Sequence, residues 1–257
     1  MNTQNQETLL GILGGLGPMS SVYFCEMLTA HTKADCDGDH VNFLLSSRAD
    51  TPDRSSFILG KSPSDPTPVM TAEAKRLEMA GATVIAIPCN TAHYFYKRIC
   101  AAVNVPIINI IEETAKLCEH GGFSKVGVLA TEGTIASGAY ANVFSPRKIE
   151  IVPLDNKEQA LISKIIFEQI KSGLEPDIDS FLELCEKLRA RGCERLILGC
   201  TELSLIKKNF KLPDYFIDSL EVLALSAIQA CNKQPKDFDS LLMNFYGDAE
   251  KGKTLCF

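Results

Sequence analysis

Short runs of apolar, often β-branched residues alternate with amphipathic stretches along most of the chain. The runs at 9–13, 41–45, 83–87, 106–110, 125–129, 150–154, 195–198 and 215–217 read as strands. They are apolar on both faces, which suits a parallel sheet covered by helices on each side. Between them the spacing of apolar positions lengthens, predicting helices near 19–32, 67–81, 91–103, 112–120, 134–144, 156–172, 177–191, 202–209 and 219–232. Strand–helix alternation of this kind marks an α/β protein.

The pattern also repeats. Gly11-Ile-Leu-Gly-Gly-Leu-Gly17 opens the first half and Gly127-Val-Leu-Ala-Thr-Glu-Gly133 the second. Thr83-Val-Ile-Ala-Ile-Pro-Cys89-Asn-Thr91 has a counterpart in Arg195-Leu-Ile-Leu-Gly-Cys200-Thr201, and Pro106-Ile-Ile-Asn-Ile-Ile-Glu112 in Tyr215-Phe-Ile-Asp-Ser-Leu-Glu221. The expected fold is therefore α/β with two pseudo-symmetric lobes, each a central parallel sheet flanked by helices, and an active site in the inter-lobe cleft. The first lobe is expected over 1–110, completed by the helix near 219–232, and the second over 111–218. Two segments escape the alternation. Residues 50–68 are rich in Pro, Ser and Asp, and a loop of that length is usually functional or disordered. The tail 233–257 mixes charge with Phe238, Leu241, Leu242, Phe245 and Tyr246; it suggests one short helix and no role.

Composition narrows the function classes. Across 257 residues, 46% hydrophobic and 23% charged side chains describe an ordinary globular chain. A net charge of −6 argues against a nucleic-acid partner, which would call for a basic face. No run approaches the ~18 apolar residues that span a membrane. Residues 1–8 lack the basic and apolar regions of a signal peptide, so a cytoplasmic protein is expected. The 10 cysteines form no C-x-x-C pair and share no metal-ligand spacing with the 4 histidines. Free thiols and no structural zinc are expected.

Cys89 and Cys200 stand out because each ends an apolar strand and precedes polar residues that open a helix. Ligands of open α/β sheets bind at such strand ends, and a helix N-terminus there would lower a thiol pKa. Either cysteine alone could be a small buried apolar residue. Both, in equivalent places of a repeat, point to chemistry. Two like groups on opposite sides of a carbon can remove a proton from one face and return one to the other, exchanging roles for the mirror-image substrate. Cysteine titrates close enough to neutrality for both forms to be accessible. That is racemisation.

Other residues read two ways. The turn Gly14-Gly15-Leu16-Gly17-Pro18 approaches the dinucleotide fingerprint, but the last glycine position is Ser20. It suits close approach of a small anion to the backbone. Arg54 could clamp a carboxylate or be solvated, and Lys171, near a helix C-terminus, reads as a solvated lysine favoured by the dipole. His93 is either a capping or surface histidine or a tuner of Cys89. Glu202 either orients the cleft or starts a helix.

Pro88-Cys-Asn-Thr-Ala-His93 and Gly199-Cys-Thr-Glu202 resemble the paired motifs of the aspartate/glutamate racemase superfamily, in its aspartate racemase branch. Leu13-Gly-Gly-Leu-Gly-Pro18, Pro52-Asp-Arg54 with Phe57-Ile-Leu-Gly-Lys61, Ile111-Glu-Glu-Thr-Ala-Lys116 and Leu129-Ala-Thr-Glu-Gly-Thr134 resemble the same family. The likeness runs from about residue 9 to about residue 230. It implies a cofactor-independent racemase, without pyridoxal phosphate, using Cys89 and Cys200 as its acid–base pair. Cys89 would serve the D-isomer and Cys200 the L-isomer. It further implies substrate contacts from Leu16, Pro52, Asp53, Arg54, Asn90, Thr91, Ala92, Lys171 and Thr201, with Thr131 and Thr134 beside them. A homodimer acting on a small dicarboxylic amino acid is implied as well. Glu202, where glutamate racemases of cell-wall synthesis carry histidine, favours aspartate; glutamate or broader specificity stays the alternative. Leu16 departs from a methionine common in the turn. From a different class, a non-catalytic module binding a small anion or nucleotide remains open.

Overall fold

The computed structural model describes residues 8–250; Cys256 lies outside the described residues, as do the first seven residues of the polar N-terminal segment. The strands are β1 (Leu9–Gly14), β2 (Asn42–Ser47), β3 (Val84–Ala86), β4 (Ile107–Ile108), β5 (Lys125–Leu129), β6 (Glu150–Val152), β7 (Arg195–Leu198) and β8 (Phe216–Asp218). They form two four-stranded parallel sheets, ordered β2-β1-β3-β4 and β6-β5-β7-β8. The second order repeats the first. Because β2 lies on one side of β1 and β3 on the other, the chain reverses direction between β1 and β3, and again between β5 and β7. Crevices at the carboxyl ends of such strand pairs are where open sheets bind ligands.

Three apolar clusters cover the sheets. The central one draws Leu10, Ile12 and Ala86 from the first sheet and Val126, Val128 and Ile197 from the second. Between these lie helices Pro18–His31, Ile110–His120 and Ser219–Ala230. The outer face of each sheet has its own cluster, around Met70 and Leu77 in the first and Phe181 and Leu188 in the second. Coverage on both faces explains the continuous apolar strands. Edge strand β2 departs from that expectation, since Leu44 and Leu45 remain partly exposed. Helix Ser219–Ala230 packs against Pro18–His31, β3 and β4, although it follows β8.

Several elements differ from the periodicity. Gly138, at φ 69°, breaks the helix expected over 134–144 into Glu132–Ala136 and Ala139–Phe144. The stretch 156–172 begins as helix Asn156–Lys164, widens to a π turn at Ile165–Gln169 and ends in a tight 3-10 turn carrying Lys171. Such π turns recur at functional sites. The long loop holds a short helix, Arg54–Ile58, whose N-terminus Asp53 caps by accepting from Ser56 N–H. The tail forms helix Ser240–Glu250 and buries Phe238, Leu242 and Phe245 in the central cluster. Each such side chain contributes about 1.5–3 kcal/mol by leaving water. Among the described residues no helix is long and apolar enough to cross a membrane.

Candidate active site

β3 and β7 are equivalent strands, and each delivers a cysteine just past its end. After β3 the chain turns at Pro88-Cys89, and a 3-10 turn begins at Thr91; after β7, Gly199-Cys200 leads into helix Leu203–Asn209. The neighbouring β1 and β5 deliver the Gly14–Gly17 turn and the Thr131 cap. Gly15 is fixed there by a φ of 81° and by Arg48, whose backbone would stand 2.3 Å from an added β-carbon.

The four strand ends converge on one buried cavity. It is lined by Leu16, Asp53, Arg54, Ser55, Cys89, Asn90, Thr91, Thr131, Lys171, Cys200, Thr201 and Glu202. Its free volume is only about 10 Å³, near that of a single water. Asp53, Arg54, Lys171 and Glu202 also line a wider outer chamber of about 390 Å³, walled by Pro18, Met19, Ala49, Ile170 and Leu205. Buried polar bonds join the two halves of the chain around the inner cavity. Thr91, Thr131 and Thr134 form a hydroxyl triangle with edges of 2.7–3.2 Å, and Ser55 Oγ donates to Thr131 at 3.1 Å. Thr201 donates to the Pro88 carbonyl at 3.2 Å, while Tyr140 OH and Ser219 hold the two ends of the Asn90 amide.

Charge is concentrated on one side. Arg54 is buried and spends three hydrogen bonds on backbone, NH1 to the carbonyls of Thr51 and Pro52 and NH2 to that of Leu16 at 2.6 Å. Its Nε is buried and has no hydrogen-bond partner among the described residues. Lys171 Nζ stands 3.5 Å from Glu202 Oε1 and 4.9 Å from the Phe167 ring centre. Burial works against the Lys171 ammonium, yet Glu202 and the two cysteines hold its pKa above the ordinary lysine value. Cys200 Sγ donates to Glu202 Oε2 at 2.9 Å. Burial first, and the Glu202 carboxylate second, push the Cys200 thiol well above its usual pKa, with Lys171 opposing. This reverses the lowering expected from a helix N-terminus, because a desolvated thiol beside an anion outweighs a short helix's dipole.

Residues 13–227 match the Asp/Glu/hydantoin racemase family. The chain belongs to that family. It is 30% identical over 227 residues to the broad-specificity amino-acid racemase RacX of Bacillus subtilis, covering 86% of this chain and 96% of that one. Among solved structures, an aspartate racemase from Picrophilus torridus superposes with a TM-score of 0.76 at 32% identity, over 89% of this chain and 96% of the other. An aspartate racemase homologue from Pyrococcus horikoshii gives 0.71 at 26% identity, over 88% and 99%. The two-lobe α/β architecture read from the repeat is thus the racemase fold.

Within this racemase fold the cavity gathers Leu16, Asp53, Arg54, Cys89, Asn90, Thr91, Thr131, Lys171, Cys200 and Thr201. Three residues expected beside them do not line it. Ala92 is buried in the outer core, Pro52 offers its carbonyl to Arg54, and Thr134 is turned to Thr91 and Thr131. Arg54 is buried rather than solvated, whereas Lys171 lines the cavity wall and keeps part of its side chain in solvent. His93 is not a surface residue but a buried cap: its Nε2 accepts at 3.3 Å from the N–H of Ile110, which opens helix Ile110–His120, and Nδ1 therefore donates to the Cys89 carbonyl at 2.9 Å. Burial lowers its pKa to about 4. Ser55 was not foreseen; only its place beside Arg54 in the matched loop pointed to it. The nine described cysteines are free thiols.

Proposed function

We propose that the chain is a cofactor-independent racemase interconverting L- and D-aspartate, with Cys89 and Cys200 as its two bases. One thiolate takes the α-hydrogen as a proton while the opposite thiol gives its proton to the other face. One C–H bond breaks as another forms, and the negative charge passes from one sulfur to the other. Cys89 serves the D-isomer and Cys200 the L-isomer. The observation that carries this reading is two thiols reaching one cavity from equivalent strand ends. Two cations lining the cavity, the buried Arg54 and the partly exposed Lys171, suit a substrate with two carboxylates, as does the likeness to an aspartate racemase at 32% identity. Asn90, Thr91, Thr131 and Thr201 supply the polar lining, and preorganised donors of this kind stabilise charge that develops on the reacting carboxylate. On this reading residues 1–110 with helix 219–230 form one lobe and residues 111–218 the other, and the enzyme works in the cytoplasm as a homodimer.

The test is purified protein with enantiopure L-aspartate in D₂O and no added cofactor. Loss of the α-proton by NMR and appearance of the D-isomer on a chiral column are expected. Cys89→Ala and Cys200→Ala should each lose at least ~100-fold in turnover while keeping the fold. Near-normal turnover in either variant ends the two-base account.

A second reading, a racemase of broader specificity, is favoured by the outer chamber of about 390 Å³, which exceeds what an aspartate side chain needs. The name of the Bacillus subtilis relative points the same way. Chiral analysis across glutamate and longer amino acids separates the two.

A further inference from the structure

Glu202 sits where the inner cavity meets the outer chamber and is only 5% exposed. A helix start does not account for it, since its side chain makes no capping bond to helix Leu203–Asn209. Both oxygens instead face the site. Oε2 accepts from the Cys200 thiol at 2.9 Å, and Oε1 forms an ion pair with Lys171 but takes no hydrogen bond. Gly17 makes room, because a β-carbon there would stand 2.3 Å from Oε1. The repeat has no equivalent at Cys89: the matching position two residues on is Thr91, a neutral hydroxyl bound to Thr131 and Thr134. The cavity's other carboxylate, Asp53, accepts from the Ser56 backbone. A carboxylate buried beside a thiol costs stability unless it is paired, so its presence calls for a use.

We infer that Glu202, held by Lys171, is a positioning residue that keeps Cys200 as a hydrogen-bonded thiol in the resting enzyme. The inference rests on the two-base reading above. The two cysteines then begin the cycle unequal, despite their equivalent places in the fold. When Cys200 gives its proton to the α-carbon, its S–H bond breaks and the thiolate is left beside Glu202. Lys171, close to both, balances the two charges. The other ionisable groups around Cys200 are Cys89, Arg54, Asp53 and the buried Tyr140. Burial and Glu202 push towards the thiol and Lys171 towards the thiolate. An amide in place of the carboxylate removes one push and leaves Lys171 free to act.

The test labels substrate-free protein with iodoacetamide across pH and follows Cys200 and Cys89 separately by peptide mass spectrometry. In Glu202→Gln the midpoint for Cys200 should fall by at least one pH unit, making labelling near neutrality about tenfold faster. The Cys89 midpoint should stay in place. Lys171→Met should move the Cys200 midpoint upward, and it serves if Glu202→Gln does not fold. An unmoved Cys200 midpoint overturns the proposal. So does equal acceleration of both thiols at every pH, the mark of a loosened cavity. Labelling needs no substrate, so a failure to racemise aspartate would count against the racemase reading and not against this one.

Discussion

Ser55, on the loop after β2, lies so close to Gly133, after β5, that a β-carbon at Gly133 would stand 2.6 Å from the Ser55 Cα. The short helix Arg54–Ile58 is thereby pressed onto helix Glu132–Ala136, with Arg54 aimed into the cavity. Gly133→Ala should push this helix away at a cost of about 1–3 kcal/mol in stability. The larger expected effect is on catalysis, a fall of at least ~tenfold in kcat/KM, because small misplacements of a positioning group are expensive. Steady-state kinetics beside thermal melts check this; unchanged kcat/KM would show that the contact is idle.

Arg54 has a double load. Its three backbone bonds tie Leu16 of the first turn to the loop, so Arg54→Ala leaves three carbonyls without their partner. A loss of about 2 kcal/mol in stability is expected alongside weakened substrate use. Arg54→Lys should recover little of either, since a point-charge ammonium lacks the planar fork. Chemical denaturation of both variants, followed by kinetics on any that stay folded, measures the two loads separately.

His93 is a lock. Its folded pKa of about 4 lies below the ordinary 6.5, so the unfolded chain takes up the proton first as pH falls. Stability is fully present above 6.5 and is lost progressively as pH drops towards 4, by ~3 kcal/mol in all. His93→Gln, which can keep both bonds, should flatten this decline. Denaturant midpoints at neutral and acidic pH compare the two proteins. An equal decline in both would place the acid sensitivity elsewhere.

Much of this was legible in the chain. All eight strands fall on the apolar runs, and for those covered on both faces the run of Leu, Ile and Val follows from that coverage. The cysteine pair was legible through the repeat. What escaped depends on contacts distant in sequence. The exposure of β2 follows from its place at the sheet edge, which periodicity does not encode. Ser55 owes its position to Gly133, far along the chain. The π turn before Lys171 leaves no period of its own. Glu202 was visible beside Cys200, yet its use depends on Lys171 and Gly17, which only the fold brings to it.

The central cluster, shared by both sheets, has a consequence for access. Swinging the halves apart would bring Val126, Val128 and Ile197 into water, at about 1.5–3 kcal/mol for each, and would also break the threonine triangle. Lifting the turn Arg54–Ile58 exposes far less, since its apolar members Phe57 and Ile58 are already half-buried and the ion pair Lys61–Glu132 beside it is solvated. Opening the site at this short helix would therefore disturb less apolar packing than separating the two sheets, with the bonds of Arg54 and Ser55 as its main restraint.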